Sequence, residues 1–135
     1  MMENRSLSLR QKVGQLFIVR PESLEPAIRY DSDAELPPYR LQAVSEGMRQ
    51  RAEQYPPGGV LLYGHNIADP EQLLRFGAEL RALPGAPLLC IDEEGGRVSR
   101  IAGNPAFDVP RFDSAAANAF LTRSYRKGWE IPGIS

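Results

Sequence analysis

The stretch PLLCIDEEGGRVSR, residues 87–100, decides the kind of fold that this chain adopts. A short apolar run, LLCI at 88–91, ends abruptly in three carboxylates, two glycines and two arginines. An apolar run without polar alternation is typical of a parallel strand covered on both faces. Folds of the α/β class bind ligands just beyond the carboxyl ends of such strands. The sequence therefore predicts a functional segment at residues 92–100.

Two earlier apolar runs predict further strands, at residues 16–19 and 60–63. A helix is predicted after Asp69, which can cap it, because Pro70 suits the first turn and apolar residues recur at helical spacing up to residue 83. A second helix is predicted at 41–54, where apolar residues recur every three or four positions. Ser8 and Gln11 fit a capping box for a helix before the first strand.

The residues between 21 and 38 are polar, aperiodic and punctuated by proline, which predicts a long loop after the first strand. Helices and strands then alternate as βαβαβ, so we expect a parallel sheet with right-handed crossovers. A (β/α)8 barrel needs about 250 residues and eight strands, whereas this chain supplies three strands. The tail beyond residue 112 loses the pattern.

Three segments resemble family 3 glycoside hydrolases, in particular the β-N-acetylhexosaminidases. Residues 91–100, IDEEGGRVSR, resemble the pattern D-(Q/E)-E-G-G-R-V-x-R of that family. Residues 12–17, KVGQLF, resemble its opening segment, and residues 58–67, GGVLLYGHNI, resemble G-G-(V/I)-(I/L)-L-(F/Y)-x-x-N in its second strand. The resemblance runs from about residue 7 to residue 112.

The resemblance implies an α/β fold that consists of the N-terminal β/α units of a (β/α)8 TIM-type barrel, incomplete in this chain. Residues 1–112 would be a partial barrel domain, and residues 113–135 a divergent tail, typical of a truncated or frame-shifted gene or else an ordinary surface tail. It also implies that Asp92 hydrogen-bonds sugar hydroxyls and that Arg100 binds substrate. The catalytic Asp and the His of the family lie in later segments, which this sequence does not contain, so no catalytic residue is expected here.

Other interpretations of the 92–100 segment remain open from the residues alone. Asp92 and Glu94 share a strand face and resemble a glycosidase carboxylate pair. Glu94 is expected to pair with Arg97 or Arg100 and so order the loop, and Arg97 either contacts ligand or pairs with a neighbouring carboxylate. The glycine pair lacks the spacing of a phosphate-binding loop and predicts a tight turn.

Two further side chains, those of His65 and Cys90, carry groups that can react. His65 is the only histidine and follows the second predicted strand, where it is a candidate general acid or base; without a second ligand at a recognisable spacing it predicts no metal site. Asn66 is expected to shape the rim of the sheet. The single Cys90 is expected to be a buried thiol rather than a nucleophile.

Composition narrows the function classes. Sixteen Lys and Arg against 17 Asp and Glu leave no basic field for a nucleic acid, and no apolar run reaches the roughly 18 residues of a membrane span. The N-terminal residues do not resemble a signal peptide, so we expect a soluble cytoplasmic protein.

The sequence therefore predicts part of the sugar-binding site of a β-N-acetylhexosaminidase that hydrolyses O-glycosyl bonds at terminal N-acetylglucosamine, in a chain inactive by itself. The predicted partner is a carbohydrate, namely a glycan or cell-wall fragment that contains N-acetylglucosamine, bound by Asp92, Arg97 and Arg100 without a cofactor or metal. Self-association through the unfinished sheet edges is also expected. The alternative is a non-catalytic α/β carbohydrate-binding or regulatory module completed by self-association.

Overall fold

A three-stranded parallel sheet organises the first part of the chain. The computed structural model describes residues 7–28 and 40–109, and the chain divides into two compact units, Met1–Ile91 and Asp92–Ser135. The elements of the first unit are, in chain order, α1 (Leu9–Gly14), β1 (Ile18–Val19), α2 (Pro21–Leu24), α3 (Glu46–Gln54), β2 (Gly59–Leu62), a 3₁₀ turn (Gly64–Asn66), α4 (Pro70–Arg81) and β3 (Leu88–Ile91).

The sheet has the order β1-β2-β3, and both pairings are parallel. Gly59 of β2 is in register with Ile18 on one side and with Leu88 on the other. The prediction of three adjacent parallel strands is therefore confirmed. The described residues form a mixed α/β unit with a small parallel sheet, and the complete (β/α)8 barrel stays a prediction.

Helix α4 covers one face of this sheet. Its start is as predicted, because the Asp69 carboxylate accepts a hydrogen bond from the Gln72 amide at 2.8 Å and Pro70 occupies the first turn. Phe76 and Leu80 are fully buried. Further buried apolar side chains come from the sheet, the other helices and the connecting segments: Leu24, Ile28, Met48, Ala52, Val60, Leu62, Ile67 and Leu83.

Helix α1 begins as the sequence predicts, but the first strand is shorter than predicted. Ser8 and Gln11 form the capping box, with the Ser8 amide 2.9 Å from the Gln11 side-chain oxygen. Leu16 and Phe17 do not join the sheet, because their amides donate to carbonyls at the end of α1 and continue it as a turn. Only Ile18 and Val19 of the predicted strand therefore pair with β2.

Two glycines join the end of α1 to the start of β2. The Gly58 amide donates to the carbonyls of Gly14 at 3.1 Å and of Phe17 at 3.0 Å. A Cβ atom on Gly58 would lie 2.1 Å from the Gln15 carbonyl oxygen, and one on Gly14 would lie 2.4 Å from the Pro56 carbonyl oxygen. The close approach of two backbones therefore requires glycine in both the KVGQLF and the GGVLLY segments.

The second helix begins later than predicted. Helix α3 begins at Glu46, so the prediction of helix at 41–54 is wrong for its first five residues. The Ser45 hydroxyl caps α3 by accepting from the Met48 amide, and the Val44 amide donates to the Glu79 carboxylate at 2.8 Å. A tertiary contact with α4 thus competes with helical hydrogen bonding in the residues before Glu46.

The predicted loop at 21–38 contains a short helix. Helix α2 starts at Pro21, the first residue of the predicted loop, and it buries Glu22 and Leu24. Proline suits the first helical position because its missing amide hydrogen would be unpaired there in any case. Residues 29–38 of the predicted loop lie outside the described residues, as do the predicted boundary at 112/113 and the tail 113–135.

One face of the sheet carries exposed apolar side chains, which corrects the expectation that β3 is buried on both faces. Leu89 points to α4, so the alternation of side chains along β3 places Leu88 and Cys90 on the other face. The strand register adds Ile18 of β1 and Leu61 of β2 to that face. Ile18 is 61% exposed and Leu88 is 71% exposed. We call these four side chains the open face. Cys90 is consequently only partly buried, contrary to the prediction.

We expect the purified chain to bind a hydrophobic dye and to associate with itself, because the open face leaves large apolar side chains in water. Sedimentation velocity and dye fluorescence measure both properties. Replacing Leu88 with Gln should reduce dye fluorescence, whereas the same replacement at Leu74, an exposed residue of α4, should not. A non-associating monomer without dye fluorescence would contradict the expectation.

No helix within residues 7–28 and 40–109 is long and apolar enough to cross a membrane.

Candidate functional site

The segment after β3 forms a small hairpin in the second unit. Strands β4 (Glu93–Gly95) and β5 (Val98–Ser99) are antiparallel, with Glu93 opposite Ser99. The turn contains Gly96, whose φ of 58° lies in the left-handed region that favours glycine. The prediction of a tight turn at the glycine pair is confirmed.

The Glu93 carboxylate orders this loop. One oxygen accepts from the Ser99 hydroxyl at 2.5 Å, and the other accepts from the backbone amides of Arg100 at 2.9 Å and Ile101 at 2.6 Å. Hydrogen bonds to an ionised acceptor are stronger than those between neutral groups. Glu93 therefore fixes the main chain that carries Arg100.

The expected ordering role of Glu94 is wrong. Glu94 is exposed and forms no ion pair with any described residue, and Glu93 orders the loop through backbone amides and a hydroxyl. Alternation along β4 explains the difference, because neighbouring side chains of a strand point in opposite directions. Only one of the two glutamates can point at the segment that follows β5.

The hairpin brings two of the three predicted binding residues together. Asp92 precedes β4 and Arg100 follows β5, so both flank the Glu93–Ser99 pair at the open end of the hairpin. Both residues are partly buried. Arg97 is exposed and lies in the turn at the opposite end. The geometry therefore groups Asp92 with Arg100 and separates Arg97 from them.

This arrangement suits binding better than proton transfer. A carboxylate can accept from two neighbouring sugar hydroxyls, and a guanidinium group can donate to sugar oxygens in a fixed fork. Glu93, between Asp92 and Glu94, is occupied by three donors and has a structural task. Within the described ranges, no three His, Cys, Asp or Glu side chains are grouped so that they could hold a metal ion.

A second polar cluster lies in the first unit, where β1 and β2 end. The Glu22 carboxylate of α2 is buried, and its Oε1 atom accepts from His65 Nε2 at 2.9 Å and from Asn66 Nδ2 at 2.6 Å. Asn66 is fully buried, and its side-chain oxygen accepts from the Tyr63 amide at 2.9 Å. We call Glu22, His65 and Asn66 the rim cluster.

The rim cluster is tied to the chain segment that precedes α3. Asn66 Nδ2 also donates to the Leu41 carbonyl at 3.0 Å, and the buried Gln72 side chain donates to the carbonyls of Gln42 and Asn66. Asn66 therefore shapes the rim, as predicted. Sequence reasoning missed Glu22, although topology offered a signal: Glu22 and His65 follow two neighbouring parallel strands, whose carboxyl ends meet at one edge of a sheet.

An apolar groove of about 860 Å³ lies elsewhere in the first unit, between α1 and the end of α3. Its lining includes Leu9, Val13, Phe17 and Tyr55, and the Arg10 guanidinium lies 5.1 Å from the centre of the Tyr55 ring. Among the residues that the structure describes, no carboxylate or histidine lines it. Concave apolar pockets are common ligand sites, but the hexosaminidase-like segment at 91–100 contributes no residue to the lining described for this one.

Segments of the chain are similar to proteins named beta-hexosaminidase. One from Thiobacillus denitrificans is 52% identical over 44 residues, which is 32% of this chain and 12% of that protein. One from Aromatoleum aromaticum is 42% identical over 69 residues, 50% of this chain and 19% of that protein. One from Vibrio cholerae is 34% identical over 73 residues, 53% of this chain and 22% of that protein.

The matched part is thus between about a tenth and a quarter of the length of these relatives. No family model matches the chain, and no solved structure matches it. The chain therefore contains hexosaminidase-like segments within a mixed α/β fold.

Proposed function

We propose that this chain carries part of the sugar-binding site of a family 3 β-N-acetylhexosaminidase, without the catalytic residues. Asp92 and Arg100 bind hydroxyl and carbonyl oxygens of a terminal N-acetylglucosamine unit of a glycan or cell-wall fragment. One observation carries the proposal: the Glu93 carboxylate fixes the hairpin so that Asp92 and Arg100 flank its open end. The similarity to beta-hexosaminidases supports the choice of ligand.

The chemistry of the two groups fits a neutral sugar. Asp92 accepts from hydroxyl donors, while Arg100 donates to oxygen acceptors, so one ligand that offers both satisfies both side chains. Glycoside hydrolysis by this route needs an acid–base group and a nucleophile in addition to binding groups. The proposed site supplies neither, so the chain alone binds sugar without cleaving it.

We expect the purified chain to bind methyl N-acetyl-β-glucosaminide weakly and to leave an aryl N-acetyl-β-glucosaminide unhydrolysed. Replacing Asp92 with Asn or Arg100 with Ala should weaken binding by about tenfold or more, since the first change removes the negative charge and one acceptor oxygen and the second removes the guanidinium donors. Saturation-transfer NMR measures the affinity.

Two matched arginines serve as controls. Replacing Arg97, at the turn, should weaken binding less than replacing Arg100, and replacing the exposed Arg81 of α4 should leave binding unchanged. Unchanged affinity in both the Asp92 and Arg100 variants would refute the assignment. Hydrolysis by the chain that disappears on Asp92→Asn would show instead that this carboxylate is catalytic.

A further inference from the structure

The apolar groove of the first unit is lined by large side chains that are left in water. Leu9 and Val13 lie four residues apart on α1, the spacing of neighbours on one helix face, and both line the groove together with Phe17. Leu9 is 78% exposed and Phe17 is 57% exposed. Removal of apolar surface from water is favourable, so these side chains favour a ligand with an apolar part that covers them.

Two arginines add positive charge to the same groove. The Tyr55 amide donates to the Arg51 carbonyl at 2.9 Å, so these two residues lie one turn apart at the end of α3. The Arg10 guanidinium of α1 lies 5.1 Å from the centre of the Tyr55 ring. All three residues line the groove. The positive charge is therefore grouped around Tyr55.

No carboxylate neutralises these arginines in the part of the chain that the structure describes. Within residues 7–28 and 40–109 neither guanidinium forms an ion pair, and no Asp or Glu of those ranges lines the groove. A guanidinium donates two parallel hydrogen bonds to a carboxylate, which is a strong and directional contact. The Tyr55 ring also restrains Arg10, so less freedom is lost when Arg10 binds an anion. The charge of the groove is complementary to an anionic group.

The groove has the size of a small-molecule site. Its volume of about 860 Å³ lies within the range of about 300–1,000 Å³ that is usual for such sites. Small-molecule sites combine an apolar lining with a few polar groups that orient the ligand. Here the apolar lining includes the buried Leu24 and Pro57 as well as α1, and the two arginines are the orienting groups. These features together select a small molecule with an apolar chain and one carboxylate.

We propose that the apolar groove binds a carboxylate amphiphile of the fatty-acid class. Arg10 and Arg51 hold the carboxylate beside Tyr55, and the apolar chain covers Leu9 and Phe17. Every residue that carries this inference lies in the first unit, so the inference is independent of the proposed sugar-binding function.

Calorimetry of the full chain with octanoate, 1-octanol and octylammonium separates the effect of charge from that of apolar contact. At neutral pH we expect octanoate to bind more tightly than octylammonium by about tenfold or more, with 1-octanol between them. Each methylene added to octanoate should tighten binding by about twofold to fourfold, because it removes further apolar surface from water. In NMR of the ¹⁵N-labelled chain, octanoate should shift the amides of α1 and of the end of α3 most.

Matched variants locate the site. Arg51→Gln and Arg10→Gln should each weaken octanoate binding by about fivefold or more and leave 1-octanol binding unchanged. Arg49→Gln alters an arginine of the same helix that is not part of the lining and should change neither affinity. Val13→Thr keeps the side-chain shape but replaces a methyl group with a hydroxyl, so it should weaken both ligands. Leu88→Gln, on the open face, should weaken neither.

Equal affinity for octanoate and octylammonium, or unchanged octanoate affinity in both the Arg10 and Arg51 variants, would overturn this inference. Octanoate binding that Leu88→Gln weakens and Val13→Thr does not would place the ligand on the open face and would also overturn it. A chain that does not bind octanoate at all refutes it outright. A chain that binds octanoate but not methyl N-acetyl-β-glucosaminide refutes the proposed sugar-binding function alone.

Discussion

Replacing Gly58 with Ala is expected to lower the free energy of unfolding by about 3 kcal/mol, a large part of the usual stability of a small domain. The new Cβ atom would lie 2.1 Å from the Gln15 carbonyl oxygen and 2.7 Å from its carbon. Both are backbone atoms, so no side-chain rotation relieves the overlap. The segment that leads into β2 must therefore move away from α1. This movement weakens the hydrogen bonds from the Gly58 amide to the carbonyls of Gly14 and Phe17.

Gly77→Ala is the matched control for this prediction. Gly77 is buried inside α4, and its added Cβ would meet only the Leu89 Cδ1 atom at an ordinary 3.4 Å. Alanine favours a helix over glycine by about 1 kcal/mol, so this variant should be as stable as the wild type or more stable. Urea unfolding followed by far-ultraviolet circular dichroism measures the free energy of unfolding of both variants. Equal destabilisation by both changes would contradict the close approach at Gly58.

Replacing Glu93 with Ala is expected to release the hairpin of the second unit. The change removes the acceptor of three hydrogen bonds and leaves the amides of Arg100 and Ile101 without it. A lost bond to a charged group costs about 1.5–3 kcal/mol, and water offsets part of this at a partly exposed site. We expect amide exchange at Arg100 and Ile101 to accelerate by about 30-fold to 1000-fold, that is, by about 2–4 kcal/mol.

Two variants test whether the acceptor oxygens of Glu93 are responsible for the slow amide exchange at Arg100 and Ile101. In Glu93→Gln the amide oxygen can take both backbone donors while its NH₂ group donates to the Ser99 hydroxyl, which also accepts. Exchange should therefore remain within a few-fold of the wild type. Glu94→Ala alters an exposed neighbour and should change nothing. Similar acceleration in the Glu93→Ala and Glu94→Ala variants would refute the role assigned to Glu93.

The parts of the fold that the sequence predicts well depend on local signals. Strand β3 and the start of α4 lie where expected, because an apolar run and the Asp69-Pro70 pair define them within a few residues of chain. The first turn of the predicted helix at 41–54 fails for the opposite reason. The Val44 amide takes a partner 35 residues away, Glu79, and no local pattern contains that information.

The candidate site likewise has features that local sequence predicts and features that depend on tertiary contacts. The tight turn was predictable from the glycine pair, whereas the pairing of β4 with β5 was not predicted. The choice between Glu93 and Glu94 depended on which face of β4 meets the residues after β5. The rim cluster joins Glu22 to residues 43 and 44 positions further along the chain. His65 alone was a weak candidate for a functional residue. Its partner Glu22 could be found from sheet topology but not from sequence spacing.

The open face contains a natural chemical probe, the thiol of Cys90. Cys90 is the single cysteine, and it sits on that face in register with Leu61. A thiol reagent must approach across the same surface that any covering molecule would occupy, and thiol reactivity depends on such access. The half-time of Cys90 alkylation therefore measures, without any engineered label, how accessible the open face is to solvent.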